Sequence, residues 1–204
     1  LVVRAYSVVS SPFDETLEFF SIVVPEGKFT SNLQYLKVGD KLHLEKIPYG
    51  YLTLARYQLP LPQDLWLLGT GTGLAPFLSM LQDFETWNNY KQINMVYSVS
   101  TQAELAYVER IQEIAESFGE VHSGFKFIPI ITRDPEAALH DRLPILIANG
   151  ELEKAAGIQL NPETSHVMLC GNPDMVEDTK EALKARGLTM NRRGEGNIAV
   201  ENYW

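Results

Sequence analysis

Three glycines spaced by threonines occur in the stretch LWLLGTGTGLAPF, at residues 65–77. The apolar run before them predicts a buried strand, and the residues around Pro76 predict the first turn of a helix. Free backbone amides at such a strand-to-helix junction can bind an anionic group. The spacing matches neither a P-loop nor the G-x-G-x-x-G fingerprint, because Leu74 stands where the third glycine would be. The stretch indicates a phosphate-binding loop, and a tight turn without a ligand is the alternative.

Two further stretches carry side chains suited to binding or catalysis. In RAYS, at residues 4–7, Arg4 and Tyr6 alternate along a predicted strand and therefore share a face, with Ser7 on the other face or at its edge. A cation beside an aromatic ring suits a ligand with a phosphate and a flat ring, and a cation–π pair on a solvated sheet is the alternative. In CGNP, at residues 170–173, a strand ends at Cys170, which is either functional or a small buried apolar residue.

The chain ends in the residues ENYW at 201–204, and an aromatic terminus has two interpretations. Terminal residues usually fray, so a disordered tail is one of them. Packing of the aromatic side chain against a ligand is the other.

Composition narrows the class of protein. The chain has 204 residues, 45% of them apolar, and a formal charge of -9, which argues against binding to the phosphate backbone of nucleic acid. One cysteine excludes an internal disulfide and a thiolate-held iron–sulfur cluster within this chain. No apolar stretch is long enough to span a bilayer, and the first residues do not resemble a signal peptide. We expect a soluble, cytoplasmic protein without a metal site.

The hydrophobic pattern changes near residue 60 and predicts two domains. Residues 1–60 contain about four or five short β-rich runs, fewer than the roughly six strands that close a small barrel, so an antiparallel barrel without its N-terminal strands is expected. Residues 61–204 alternate apolar strands with helices and predict a doubly wound parallel α/β sheet. Its expected elements, in order, are strand LWLLG, helix APFLSMLQDFETW, strand INMVYSV, helix AELAYVERIQEIAESFG, strand KFIPIIT, helix RLPILIANGEL, strand HVMLCG and helix PDMVEDTKEALKARG.

Taken in order, RAYS at 4–7, GTGTGLAP at 69–76, CGNP at 170–173 and the terminal Trp204 resemble the bacterial-type ferredoxin (flavodoxin)–NADP reductases over almost the whole chain. The resemblance implies an FAD-dependent enzyme that transfers a hydride between NADPH and flavin N5 and exchanges single electrons with ferredoxin or flavodoxin. It further implies that Tyr6 packs on one flavin face, Trp204 on the other, Arg4 at the pyrophosphate, and Ser7 near N5. The full set implied to bind FAD is Arg4, Ala5, Tyr6, Ser7, Phe19, Phe20, Lys28, Phe29, Thr30, Thr72 and Trp204.

The same resemblance implies the catalytic and coenzyme-binding residues. The catalytic set is Ser7, Cys170, Glu201 and Trp204. The set implied to bind NADP is Gly71, Thr72, Gly73, Ser98, Ser100, Arg133, Arg142, Cys170, Gly171, Asn172 and Met175. Ser100 stands where relatives commonly carry an arginine, so we expect NADPH binding that is weaker, or less selective against NADH, than is usual in the family.

A monomer that docks a small acidic electron carrier is implied as well, with a local basic rim of Arg4, Lys46, Arg56, Arg192 and Arg193 offsetting the negative total charge. Two other functions are compatible with the residues. One is the flavin reductase component of an oxygenase or related enzyme, and the other is a nucleotide-binding module without enzymatic activity.

Overall fold

The fold was analysed in a computed structural model, which describes residues 2–57, 63–119 and 124–203. Its centre is a parallel five-stranded sheet with the order β3-β2-β1-β4-β5. The strands are β1 (Asp64–Thr70), β2 (Gln92–Val99), β3 (Phe125–Ile131), β4 (Ser165–Gly171) and β5 (Ile198–Asn202). The four predicted strands of the parallel sheet are confirmed. The sequence analysis missed β5, and it offered a frayed tail for residues that include Glu201 and Asn202 within this strand.

Helices connect these strands, and several are shorter than predicted. They are α1 (Thr30–Leu33), α2 (Ala75–Leu81), α3 (Phe84–Asn89), α4 (Val108–Gly119), α5 (Leu143–Ala148), α6 (Glu151–Ala156) and α7 (Pro173–Ala185), with 3-10 turns at Leu54–Arg56, Gly71–Leu74 and Gln102–Glu104.

Two predicted single helices are each divided in two. Asp83 has extended backbone and caps α3 by accepting from the amide of Glu85, so the chain turns between α2 and α3. Gly150 lies in the left-handed region at φ 80° and separates α5 from α6. The predicted helix from Ala103 begins only at Val108, because Leu105 is extended and Tyr107 has a φ of 60°.

Each face of the sheet has its own apolar core, which confirms the doubly wound arrangement. Alternate residues of β1 point to opposite faces, so Leu65 and Leu67 join one core and Trp66 and Leu68 the other. The first core also contains side chains of α2, α3 and α4, and the second contains side chains of α5, α6 and α7. Within the described ranges, no helix has the length and apolar composition needed to cross a membrane.

The predicted antiparallel barrel is not confirmed. Among described residues 2–57 the backbone forms one isolated antiparallel bridge, between Val8 and Phe19, and no named strand. A barrel requires cross-strand hydrogen bonds and an apolar interior, whereas side chains such as Val3, Ile22 and Leu44 are more than half exposed. Residues 58–62 lie outside the described ranges, so the boundary between residues 60 and 61 remains a prediction.

The described segment 2–57 nevertheless packs on the α/β domain. The side-chain amide of Gln82, which follows α2, donates to the carbonyl of Val9 at 2.8 Å. The Tyr57 hydroxyl lies 3.1 Å from the carbonyl oxygens of both Val167 and Asn197, at the amino end of β4 and just before β5. Tyr57 is buried and stacks on the imidazole of His166 with a centroid distance of 3.5 Å. These contacts hold the N-terminal segment against the sheet.

Candidate functional site

The strand order identifies the candidate site at the carboxyl ends of the strands, called the carboxyl edge of the sheet below. The chain passes outward from β1 through β2 to β3, then returns to the other side of β1 for β4 and β5. In open α/β sheets, ligands bind outside the carboxyl ends of the strands where the order reverses. Here that crevice lies between β1 and β4, and the predicted GTGTG and CGNP loops follow these two strands.

Two glycines allow these loops to approach each other closely. A Cβ on Gly73 would lie 2.2 Å from the carbonyl oxygen of Cys170, a distance that no side chain can occupy. Gly171 has a φ of 138°, and a Cβ there would lie 2.3 Å from the Thr70 hydroxyl oxygen. That hydroxyl accepts from the amide of Asn172 at 3.2 Å. The alternative of a tight turn without a ligand therefore explains why positions 73 and 171 are glycine.

Gly71 differs from these two glycines. Its φ is 52°, and a Cβ added to it would have no neighbouring atom within 4 Å. The backbone of Gly71 therefore faces open space at the carboxyl edge, where a ligand phosphate can approach it. This open backbone fits the predicted phosphate-binding role, which remains a prediction.

Three of the four predicted catalytic residues come together at this edge. The Ser7 hydroxyl donates to Glu201 Oε1 at 2.9 Å, joining the N-terminal segment to the end of β5. Cys170 lies beside Glu201 in the register of β4 and β5. The fourth residue, Trp204, lies outside the described ranges.

Tyr203 connects this cluster to both loops, and the sequence analysis missed it. Its amide donates to the carbonyl of Gly171 at 3.2 Å, and its hydroxyl donates to the carbonyl of Thr72 at 3.2 Å. Its side chain also lies close to those of Cys170 and Ser7. The motif ENYW contained Tyr203, but a terminal tyrosine alone does not indicate which carbonyl groups it will meet.

Burial sets the protonation of two groups in the cluster. Burial raises the pKa of the Cys170 thiol to about 12, and the nearby Tyr203 hydroxyl only partly opposes this. Burial also raises the pKa of the Tyr203 phenol, with neighbouring Cys170 adding to the effect. At neutral pH both side chains are therefore protonated and can act as hydrogen-bond donors. Cys170 is fully buried and is not an activated nucleophile.

The residues predicted to bind FAD occupy different environments. The rings of Tyr6 and Phe29 lie 5.8 Å apart, and Tyr6 is partly buried while Arg4 is exposed. The structure brings these two aromatic residues together within the first 30 residues. Exposed Ala5, Phe19 and Lys28 belong to the same segment.

Two other residues of this set make structural contacts. Phe20 packs edge-on against Tyr107, with ring centroids 5.3 Å apart, and joins the first core. The Thr30 hydroxyl accepts from the amide of Val24 at 2.9 Å and is buried. Phe20 and Thr30 therefore each have a structural contact within the protein that needs no ligand.

The residues predicted to bind NADP extend from the crevice toward β3. Ser98 is buried in β2 beside Thr70. The amide of Arg133 donates to the carbonyl of Ser100 at 2.9 Å, so the end of β3 lies against the end of β2. Arg133 and Arg142 are exposed. Within the described ranges, no hydrogen bond or ion pair of either guanidinium group is found.

Asn172 and Met175 have local roles at the start of α7. The Asn172 side chain accepts from the amides of Asp174 and Met175 at 2.9 and 3.2 Å and so caps the helix. Met175 is partly buried and packs against the second core. Their predicted contacts with NADP remain predictions.

Two residues of the basic rim predicted for carrier docking, Arg56 and Arg192, lie away from the Ser7–Glu201 cluster. Arg56 hydrogen-bonds through Nε to the side chain of Asn191 at 3.4 Å, and Asn191 pairs with Ile198 at the amino end of β5. Glu201 lies three steps along β5 from Ile198, a distance of about 10 Å. Arg56 and the neighbouring Arg192 therefore lie toward the opposite edge from the Ser7–Glu201 cluster.

Comparisons with known proteins identify relatives of this chain. Residues 67–181 match the model of the oxidoreductase NAD-binding domain family. A flavodoxin/ferredoxin–NADP reductase of Buchnera aphidicola is 38% identical over 98% of this chain and 77% of its own length, and a ferredoxin–NADP reductase of Pseudomonas aeruginosa is 40% identical over 98% and 79%.

A solved structure also resembles this chain. It is of a ferredoxin NADP+ reductase from Neisseria gonorrhoeae with bound FAD and NADP, and it matches 98% of this chain and 79% of its own with a TM-score of 0.89 and 37% identity. The resemblance inferred from the four ordered motifs is confirmed, and the chain belongs to the ferredoxin (flavodoxin)–NADP reductase family.

Proposed function

We propose that the protein uses FAD to move electrons between NADPH and a one-electron carrier, ferredoxin or flavodoxin. The observation that carries the proposal is the convergence of Ser7, Cys170, Glu201 and Tyr203 where the two glycine-containing loops meet. The relatives named above are reductases of this kind, and the solved relative binds both FAD and NADP. When bound, FAD supplies the chemistry that links a two-electron hydride donor to one-electron partners.

The residues of the edge suit such a cofactor. Exposed Arg4 offers a cation, partly buried Tyr6 offers an aromatic face, and the backbone at Gly71 faces open space. We assign Arg4, Tyr6 and Ser7 to FAD, and Thr72 to the contact between FAD and the coenzyme. Thr72 suits that position because its carbonyl is held by Tyr203 at the crevice.

The cluster fixes hydrogen-bonding groups at the carboxyl ends of the strands. Ser7 directs one carboxylate oxygen of Glu201 by donating to it, and Tyr203 holds the end of β5 against both loops. Cys170 fills the space beneath them as a protonated, buried thiol. Orienting two rings in contact requires such fixed neighbours, because small displacements strongly reduce the rate of transfer.

Two guanidinium groups suit the coenzyme's phosphate. Arg133 and Arg142 are exposed at the ends of elements that border the carboxyl edge. Guanidinium groups bind phosphate through paired, charge-assisted hydrogen bonds. We assign both residues to the 2′-phosphate of NADPH.

The experiment that tests this function is anaerobic reduction followed by visible absorbance. The purified protein should contain or take up FAD, and NADPH should bleach the flavin bands faster than NADH does. Electrons should then pass to a ferredoxin or flavodoxin. A protein that takes up no FAD would contradict the proposal.

A variant pair connects the activity to the cluster. Glu201→Gln removes the carboxylate that Ser7 orients, so hydride transfer should slow roughly 10-fold or more while coenzyme affinity changes little. Glu195→Gln, an exposed change just before β5, is the control and should react like the parent protein. Equal rates in the two variants would remove Glu201 from the mechanism.

A further inference from the structure

Tyr107 has an unusual backbone conformation at the start of α4. Its φ is 60°, in the left-handed region, where a bulky side chain is strained. Its carbonyl nevertheless accepts from the amide of Ile111 at 2.8 Å, in the first turn of the helix. Such strain persists only where the surrounding contacts hold the residue in place, and it is concentrated at functional positions. The contacts of Tyr107 therefore indicate what this conformation serves.

The side chain of Tyr107 contacts the N-terminal segment twice. Its hydroxyl donates to Glu18 Oε1 at 2.7 Å, and its ring packs edge-on against Phe20 with ring centroids 5.3 Å apart. Burial, with the hydrogen bond to Glu18 adding to the effect, raises the pKa of the Tyr107 phenol to about 12. The hydroxyl is therefore protonated at neutral pH and acts as the donor. One side chain thus joins the start of α4 to a stretch of chain 89 positions earlier.

These two partners belong to a short antiparallel pair of chain stretches. Val8 and Phe19 form its bridge, and the amide of Val9 donates to the carbonyl of Glu18 at 2.8 Å. This N-terminal pair comprises residues 8–10 and 18–20. One of its two stretches directly follows the RAYS motif, which the proposed function assigns to FAD. The side chain of Glu18 therefore links the tyrosine hydroxyl to the stretch proposed to bind FAD.

The α/β domain also holds the other stretch of the N-terminal pair. The Ser79 hydroxyl of α2 donates to the carbonyl of Ser10 at 2.8 Å, and the side-chain amide of Gln82 donates to the carbonyl of Val9 at 2.8 Å. These bonds attach one stretch of the pair to the domain, whereas the Tyr107 hydroxyl attaches the other. Two points of attachment restrict rotation of the pair more than either one does.

We propose that Tyr107 is a positioning residue: it fixes the orientation of the N-terminal pair, and with it the RAYS motif, against the α/β domain. This sets how FAD is oriented toward the coenzyme. The inference rests on the proposed function, because it needs FAD at the RAYS motif and NADPH at the carboxyl edge. Two rings that exchange a hydride must be held in contact, and small displacements strongly reduce the rate. Tyr107 acts through Glu18 and Phe20, so its loss should slow transfer while both nucleotides still bind.

The first measurement follows amide hydrogen exchange and does not depend on flavin chemistry. Tyr107→Phe keeps the ring against Phe20 and removes the donor to Glu18. The Val9 amide should then exchange about 3- to 10-fold faster, because one hydrogen bond no longer opposes local opening of the pair. The amide of Asn197, which bonds to the chain just before β5 at the amino edge, should exchange at the parent rate. An unchanged Val9 rate would overturn the proposal.

The second measurement is hydride transfer from NADPH to FAD in a single turnover, followed by flavin absorbance. Tyr107→Phe should slow transfer about 3- to 10-fold, while the dissociation constants of NADPH and FAD change less than about twofold. Glu18→Ala removes the acceptor and should have the same effect. Glu18→Gln keeps an acceptor oxygen and should transfer at close to the parent rate. Tyr35→Phe changes an exposed tyrosine of the same segment, and this matched control should react like the parent protein.

A double-mutant cycle tests whether the two side chains act together. Tyr107→Phe combined with Glu18→Ala should transfer hydride no more slowly than either variant alone, because both changes remove the same hydrogen bond. Slowing by the product of the two single effects would overturn the proposal, because the two residues would then act independently.

The remaining outcomes separate this inference from the proposed function. A protein that takes up FAD and is reduced by NADPH at a rate insensitive to Tyr107→Phe would overturn the positioning role and leave the reductase function intact. Loss of FAD or NADPH affinity in proportion to the rate would also overturn that role, because Tyr107 would then serve binding or stability. A protein that takes up no FAD would overturn both.

Discussion

Cys170 shows how environment decides what a residue can do. A lone cysteine at the end of a strand was compatible with a reactive thiol or a buried apolar group. The structure buries it fully beneath Tyr203 and beside Glu201, and burial raises the pKa of the thiol to about 12. The group therefore contributes packing to the cluster.

Thiol labelling tests this state directly. A disulfide reagent at pH 8 should label Cys170 in the native protein on the order of 100-fold or more slowly than in the unfolded protein, because the thiolate is the reactive form. The readout is unambiguous because the chain has one cysteine. Cys170→Ser supplies the background. Labelling at equal rates would show a thiol that is accessible and readily ionised.

At the scale of elements, the site depends on how closely the loops after β1 and β4 approach. Gly73 lies against the carbonyl of Cys170, and Tyr203 bonds to a backbone group of each loop. β5 carries Glu201 and leads directly into Tyr203, so the last strand of the sheet is part of the site.

Gly73→Ala tests the loop contact. The added Cβ would lie 2.2 Å from the Cys170 carbonyl oxygen, so the loops must separate. We expect a loss of about 3 kcal/mol in the free energy of unfolding, together with weaker coenzyme binding. Denaturant unfolding and nucleotide titration measure the two effects.

Gly157→Ala is the matched control. Gly157 also has a positive φ, 79°, but a Cβ there would meet no atom within 4 Å. It should cost about 1 kcal/mol of stability through backbone strain and leave coenzyme binding unchanged. If coenzyme binding weakened equally in both variants, the close approach of the two loops would not be what forms the site.

For the whole molecule, the N-terminal segment is held at both edges of the sheet, by Ser7 at the carboxyl edge, where the site lies, and by Tyr57 at the amino edge. Tyr57 stacks on His166, and the Tyr90 hydroxyl lies 2.9 Å from His166 Nδ1. This buried group, remote from Ser7 and Glu201 along the strands, connects the segment that ends at Tyr57 to the core. Burial lowers the pKa of His166 to about 4, so it is neutral in the native protein at neutral pH.

The pH dependence of stability follows from this group. The unfolded chain binds a proton at His166 near pH 6.5, whereas the native protein does so only near pH 4. Folding favours the neutral imidazole. The stability that His166 contributes is therefore fully present above pH 6.5 and is lost as the pH falls toward 4. We expect a loss of about 2 to 3 kcal/mol across this window, measured by denaturant unfolding.

Histidine variants isolate this contribution. His166→Gln should flatten the stability curve between pH 6.5 and 4 relative to the parent protein. His140→Asn changes an exposed histidine and should keep the parent's slope. Parallel curves for His166→Gln and the parent would mean that His166 is not the titrating group.

The sequence by itself determined the family, the parallel α/β class and the chemical types at the site. Glycine spacing, strand periodicity and short motifs depend on neighbouring residues, so they can be read from the chain. The contacts among Ser7, Glu201, Tyr203 and the two loops were decided only by the tertiary structure, because they join residues up to 194 positions apart.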